Sequence, residues 1–234
     1  MSTRFAPSLI SALVIAAALA GMAPAAHAFT GGANDFIPTY TGPKGGDLDV
    51  LSANVFFDGT TFALTTTLNA AVGTTPSTTV GTTTSSVLYV WGFNRGASTA
   101  LFSPAIPNTD QVKFDSVVSI GQDGSGAVIP FVRGGTNTPF TAAASVISGA
   151  TITTKIAAST LPTLGFTPSN CTWNLWPRFG TGNNNQISDF APVNSNAPIV
   201  VTAPESGTGS LLAAAALCAL AGAVVLRRRV AQAG

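Results

Sequence analysis

The sequence predicts an all-β protein: a single antiparallel β-sandwich of jelly-roll type, flanked by an N-terminal signal peptide and a C-terminal transmembrane sorting helix. Three observations lead there. The middle of the chain, residues 29–203, is rich in Thr, Val, Ala, Gly and Asn and poor in Lys and Glu, a composition of strands and turns rather than of a helical bundle. Turn-forming clusters recur at short intervals, with no convincing helix between them. Phe62, Leu64, Thr66 and Leu68 alternate with Ala63, Thr65 and Thr67, the period-two pattern of a half-buried strand. The block is long enough for one domain with a real core.

The elements follow in order. In "DLDVLSANVFFDGTTFALTTTLNA" two β-rich runs flank Asp58-Gly59, a favoured hairpin turn pair. Ala71 to Ser86 lacks an apolar period and reads as a long exposed loop. "VLYVWGFN" (87–94) is a strongly apolar strand, and "VKFDSVVSI" (112–120) is another. Across the "GQDGSG" turn, "AVIPFVRGG" continues the pattern, with Pro130 marking an edge or a bulge. "SVISGATITTKIAAS" reads as a second hairpin around Ser148-Gly149, with Ile152, Thr154 and Ile156 on one face. "CTWNLWPRFG" and "QISDFAP" supply late strands. About nine strands in one block make a sandwich.

Both ends read as sorting segments. Residues 1–28 combine a positive Arg4, a short apolar run from Leu9 to Ala20 and an A-x-A site at Ala26-His27-Ala28, the pattern of a cleaved signal peptide; an uncleaved membrane anchor is the alternative. Residues 204–234 begin at Pro204-Glu205-Ser206-Gly207, where Glu205 is the only glutamate of the chain. Ser210 to Leu226 follows, nearly all Leu, Ala, Val and Gly, about 25 Å long as a helix against a hydrocarbon core of about 30 Å. Arg227, Arg228 and Arg229 then resist translocation, so the C-terminus stays cytoplasmic and the domain sits outside.

Motif, apolar helix and basic stop, in that order, resemble the PEP-CTERM tails of bacterial exported proteins. Pro204 and Glu205 match the usual Pro-Glu-Pro motif and Ser206 departs from it. Pro204, Ser206 and Gly207 match a Val-Pro-Asp-Ser-Gly variant, with Glu205 in place of Asp and Ala203 in place of Val. Pro204 and Gly207 also overlap a sortase-type Leu-Pro-x-Thr-Gly signal. The resemblance implies an exosortase-like membrane protease as partner, with transient anchoring in the inner membrane by the C-terminal helix; a permanent tail anchor is the bland alternative. The middle block, from "NDFIPTYTGPKGGDLDVLSANVFFDGTTFALTTTLNA" to "NLWPRFGTGNNNQISDFAP", resembles DOMON-like β-sandwich modules, including sugar-binding modules of some glycoside hydrolases. No diagnostic binding motif accompanies that resemblance, which speaks to fold more than to function.

Chemistry is narrowly bounded. The only histidine, His27, leaves with the signal peptide, which excludes Ser-His-Asp, Cys-His and ordinary zinc sites from the mature block. That block keeps one cysteine, Cys171, and so has no internal disulfide; Cys218 lies in the tail. Eight aspartates against six Lys and Arg make it mildly acidic, without the basic face that a nucleic-acid binder needs. Asp47 and Asp49, read as strand neighbours on one side, form a carboxylate pair about 7 Å apart, within the range of inverting glycosidases but without opposed geometry. Asp35, Asp47 and Asp49, in Gly-rich irregular segments, are candidate calcium ligands, with Asp123 weaker; turn-capping aspartates are the alternative.

Tyr40, Trp91, Phe93, Trp173 and Trp176 are the candidate sugar-stacking rings, each weighed against plain core packing. In "TWNLWPRF" Trp173 and Trp176 fall on opposite faces, one toward the core and the other outward or onto an adjacent loop. Arg178–Asp189 and Arg95 with Asp110 or Asp115 read as pairs of small energetic value. The expected function is therefore non-catalytic: an exported protein of the cell envelope or extracellular matrix that binds or adheres to extracellular polysaccharide. A purely structural matrix protein and a carboxylate-dependent glycan hydrolase are the other readings.

Overall fold

The computed structural model describes residues 29–97, 99–100, 102, 106–107, 109–131 and 135–202. The signal-cleavage residues Ala26 and Ala28, the motif Pro204 to Gly207, the apolar run and Arg227 to Arg229 lie outside the described residues. Among those described, no helix is long and apolar enough to cross a membrane.

The described chain is all-β. Its strands are β1 (Phe29–Thr30), β2 (Val50–Phe57), β3 (Thr61–Leu68), β4 (Thr78–Val80), β5 (Thr83–Ser85), β6 (Val87–Asn94), β7 (Thr99–Ala100), β8 (Lys113–Phe114), β9 (Ser116–Gly121), β10 (Gly126–Pro130), β11 (Thr138–Phe140), β12 (Ser145–Ser148), β13 (Thr151–Ala157), β14 (Thr172–Phe179), β15 (Ala197–Pro198) and β16 (Val200–Val201). The helical elements among them are short 3-10 turns. One six-stranded sheet runs β1-β2-β3-β13-β12, with β16 added in parallel to β2. The other runs β11-β10-β9-β6-β14-β15, antiparallel throughout.

The hairpins form where local chemistry demands them. Between β2 and β3, Asp58 Oδ1 accepts the Thr60 and Thr61 N–H groups at 2.8 Å each, and Gly59 takes φ +101°. β12 and β13 turn at Gly149, φ +58°, and Ile152, Thr154 and Ile156 all point inward. Three expectations need correction. The 71–86 loop contains a small exposed hairpin, β4–β5. The 112–120 strand is broken into β8 and β9 at Asp115, which turns inward to an arginine. Gln186 to Pro192 forms no strand; only the isolated bridges Leu175–Ala191 and Arg178–Ile187 tie it to β14. The last strands are instead the short β15 and β16, which pair with β14 and β2.

The main core draws on both sheets. Val50, Val55, Phe62 and Leu64 from one meet Tyr89, Trp91, Phe93, Val118, Trp173 and Leu175 from the other. Phe62 contacts Phe93 with ring centroids 5.6 Å apart, and Trp91 contacts Trp173 at 5.3 Å. A second apolar cluster lies on the outer face of the β6–β9–β14 sheet, where Val90, Val117 and Trp176 are covered by Ile106, Val112, Phe114, Ile187 and Phe190. Both faces of that sheet are therefore apolar: of the two tryptophans of "TWNLWPRF", Trp173 points into the main core and Trp176 points to the outer face, where Phe102, Phe114 and Phe190 from adjacent segments cover it. Trp176 can lie flat on the sheet because Gly92, on the neighbouring strand, has no side chain: a Cβ there would overlap the indole ring.

Candidate functional site

Two places in the fold hold chemistry. The first is a cluster of carboxylates at one end of the main core. Asp49 is the last residue before β2, and Asp35 lies in the irregular segment after β1. Asp189 arrives from the segment after β14, which Ser188 anchors by donating to both Leu48 O at 2.7 Å and Pro177 O at 3.0 Å. One carboxylate oxygen from each of the three lies within 4.8 Å of the other two. Asp49 is fully buried and Asp189 is 2% exposed, while Asp35 opens to solvent.

Their hydrogen bonds are unequal. Asp49 Oδ2 accepts Asn34 N at 2.6 Å and Asn69 Nδ2 at 2.9 Å. Asp49 Oδ1 is buried and has no partner among the described residues. Asp189 takes the Val50 N–H on Oδ2 at 3.0 Å and the Phe190 N–H on Oδ1 at 2.6 Å. Among the described residues no Lys or Arg pairs with the cluster; the one ion pair is Arg95–Asp115. Burial, with the charges of Asp35 and Asp49 added, pushes the Asp189 carboxyl up to about 7, against the two N–H groups that lower it. Burial raises Asp49 in the same direction.

The sign of the resulting pH effect is definite. A carboxyl raised on folding holds more protons in the native than in the unfolded chain between about pH 4 and 7, so the native state loses stability as pH rises through that window. In metal-free buffer Tm is expected to fall by several degrees from pH 5 to pH 8, and Asp189→Asn is expected to flatten the profile. A wild-type Tm that rises or stays level over that range contradicts a raised Asp189 carboxyl in the native state.

Of the candidate calcium ligands, Asp35 and Asp49 are thus brought together and Asp47 is not. The expected strand neighbours Asp47 and Asp49 do not share a strand: Asp47 lies inside a 3-10 turn, Gly46–Leu48, and Asp49 caps its end, so their carboxylates make different contacts. Asp47 binds the 73–75 loop: its Oδ2 accepts Gly73 N and Thr75 N, both at 3.1 Å, and Gln122 Nε2, while Thr75 Oγ1 donates to its Oδ1. The pair has no opposed geometry for hydrolysis. Asp123 caps its own turn, accepting from Ser125 N and Oγ. Asp189 was missed as a cluster member, because the sequence pointed it at Arg178. That pairing is absent: Arg178 donates to Gly180 O at 2.6 Å and Asn183 O at 2.9 Å.

The second place is an open groove of about 330 Å³ on the outer face of the β6–β9–β14 sheet. Phe102, Phe114, Phe131 and Trp176 supply its rings; Ser119, Arg178, Thr181 and Asn184 supply polar groups. Phe102 meets Trp176 edge-on at 5.1 Å, and Phe114 meets it at 4.8 Å. Phe131 is 54% exposed and stands beside Phe114. Phe190, next to Asp189, packs edge-on against Phe102, so one short segment connects the groove to the carboxylates.

The candidate stacking rings fare differently. Tyr40, Trp91, Phe93 and Trp173 are buried in the main core and offer no face to a sugar. Trp176 is buried too, but it lines the groove. Phe131 and Phe102, which sequence reasoning passed over, are the groove's more open rings. Cys171 is buried, and burial with nearby Asp115 pushes its thiol up to about 11, an unreactive state.

Comparison with protein-family models, with curated proteins and with solved structures finds no match. The site must speak for itself.

Proposed function

We infer that this chain is an exported, non-catalytic β-sandwich of DOMON-like, jelly-roll kind that binds extracellular polysaccharide at the bacterial cell surface or in the surrounding matrix. The observation that carries the reading is the outer-face groove. Aromatic rings suit the apolar faces of pyranoses, and a guanidinium, hydroxyls and an amide at the rim suit their hydroxyl groups. The leader 1–28 and the tail 204–234 belong to the same reading. They take the domain outward and present Pro204 to Gly207 to an exosortase-like protease while the apolar helix holds the chain in the inner membrane.

The groove is tested by a glycan array probed with residues 29–203 and with Phe131→Ala. Wild type is expected to bind one class of polysaccharide. Phe131→Ala removes a half-exposed ring, so it is expected to weaken binding by about tenfold or more without changing Tm. Binding that ignores the substitution places the ligand elsewhere; no binding at all leaves the purely structural matrix protein. The hydrolase reading draws on the raised carboxyl of Asp189, and reducing-sugar release from a bound glycan, abolished in Asp189→Asn, is the result that would favour it.

A further inference from the structure

We propose that Asp35, Asp49 and Asp189 form a calcium site, one that clamps the segment after β1, the start of β2 and the segment after β14 to one another. Three carboxylates without a counter-cation repel one another in a buried setting, and above the pH at which protonation relieves that repulsion a bound cation would relieve it instead. The acidic cluster alone would not identify the ligand. Asp49 Oδ1 adds the second observation: it is an oxygen of a fully buried residue, without a hydrogen-bond partner among the described residues while its sister oxygen takes two. A buried carboxylate oxygen with no donor is a costly thing to retain unless an ion takes it.

The three carboxylate oxygens lie within 4.8 Å of one another, close enough to share one ion, and the donor chemistry selects calcium among the candidates. The hard, all-oxygen donor set excludes a preference for zinc, which favours nitrogen and sulfur. Magnesium demands a tighter, near-octahedral shell and gives up its water reluctantly. Three carboxylates from three irregular segments suit the more permissive ion. Asp35, the exposed member, leaves an entry path and room for water to complete the shell. The site is separate from Asp47, whose oxygens are taken by the 73–75 loop and Gln122. It stands independently of polysaccharide binding in the groove.

The test is thermal unfolding of the full-length chain in mild detergent, stripped with chelator and then titrated with calcium chloride or magnesium chloride. At calcium about a hundredfold above its Kd, Tm is expected to rise by about 5–10 °C, with a smaller response to magnesium. Asp35→Asn keeps an acceptor for Gly32 N, and Asp49→Asn keeps one for Asn34 and Asn69. Each variant is therefore expected to fold, to match or exceed the wild-type Tm in chelator, and to show no calcium response. An unchanged wild-type Tm overturns the proposal. A calcium response that survives in either variant also overturns it, because the ion is then held elsewhere.

Discussion

Arg95→Met is expected to lower stability by about 3–5 kcal/mol, or about 6–20 °C in Tm. The guanidinium Nε donates to Asp115 Oδ1 at 2.6 Å, and both side chains are almost wholly buried, at 1% and 5% exposure. Arg95 also donates through Nη1 to Pro162 O at 2.9 Å, while its backbone N–H donates to Asp115 Oδ2 at 2.8 Å. The pair thus closes the end of β6 onto the break between β8 and β9 and onto the 162–166 segment, where Leu164 N and Phe166 N donate to Arg95 O. Methionine fills much of the space but leaves Asp115 as an uncompensated buried charge, which is the dominant cost. Adding Asp115→Asn removes that charge, retains an acceptor for the Arg95 N–H, and is expected to recover a good part of the loss. Urea unfolding of the two single variants and the double variant measures the coupling. If Arg95→Met stays within about 1 kcal/mol of wild type, the pair is the weak surface contact that its residue types alone suggested.

Trp173→Ala is expected to cost a similar amount, about 3–5 kcal/mol. Trp173 has no exposed surface; its ring packs on Trp91, and its Nε1 donates to Pro198 O at 3.0 Å. Alanine opens a cavity between the sheets and leaves the β15 carbonyl without its partner. Trp173→Phe keeps most of the volume and loses only the N–H, so a cost of about 1–2 kcal/mol is expected. The pattern across the aromatic residues separates structure from binding: Trp173→Ala should damage the fold, whereas Phe131→Ala should leave it intact and affect ligand. A Trp173→Ala variant of wild-type stability, as measured by urea unfolding, would place that ring outside the core.

What could be read in advance was local, and what could not was assembled from distant parts of the chain. Asp58-Gly59 and Ser148-Gly149 carry their turn chemistry in their own atoms, and the alternation of Phe62 to Leu68 survives because only one face of that strand is buried. On β14 the alternation also places Trp173 and Trp176 on opposite faces, but it gives no sign that the outer face is covered. Both of its faces are buried, since Phe102, Phe114 and Phe190 close over Trp176 from segments remote in sequence. The three-aspartate cluster was half legible. Asp35 and Asp49 stood out in Gly-rich irregular stretches, but Asp189 joins them only through the tertiary fold. A signal was present in "ISDFAP", where an aspartate sits among apolar residues and must find a partner when buried. "VKFDSVV" held a similar one: Asp115 interrupts an apolar run, and Arg95 ends the strand that pairs with it. A charge inside an apolar run is better read as a demand for a buried partner than as an exposed residue.

The functional account stands on export, since only a chain outside the inner membrane meets extracellular polysaccharide. The intact mass of the protein recovered from the cells that make it tests that most directly. A chain beginning at Phe29 and lacking Arg227 to Arg229 is the expected result. A full-length chain, still carrying Met1 and all three arginines and found in the cytosol, would contradict it.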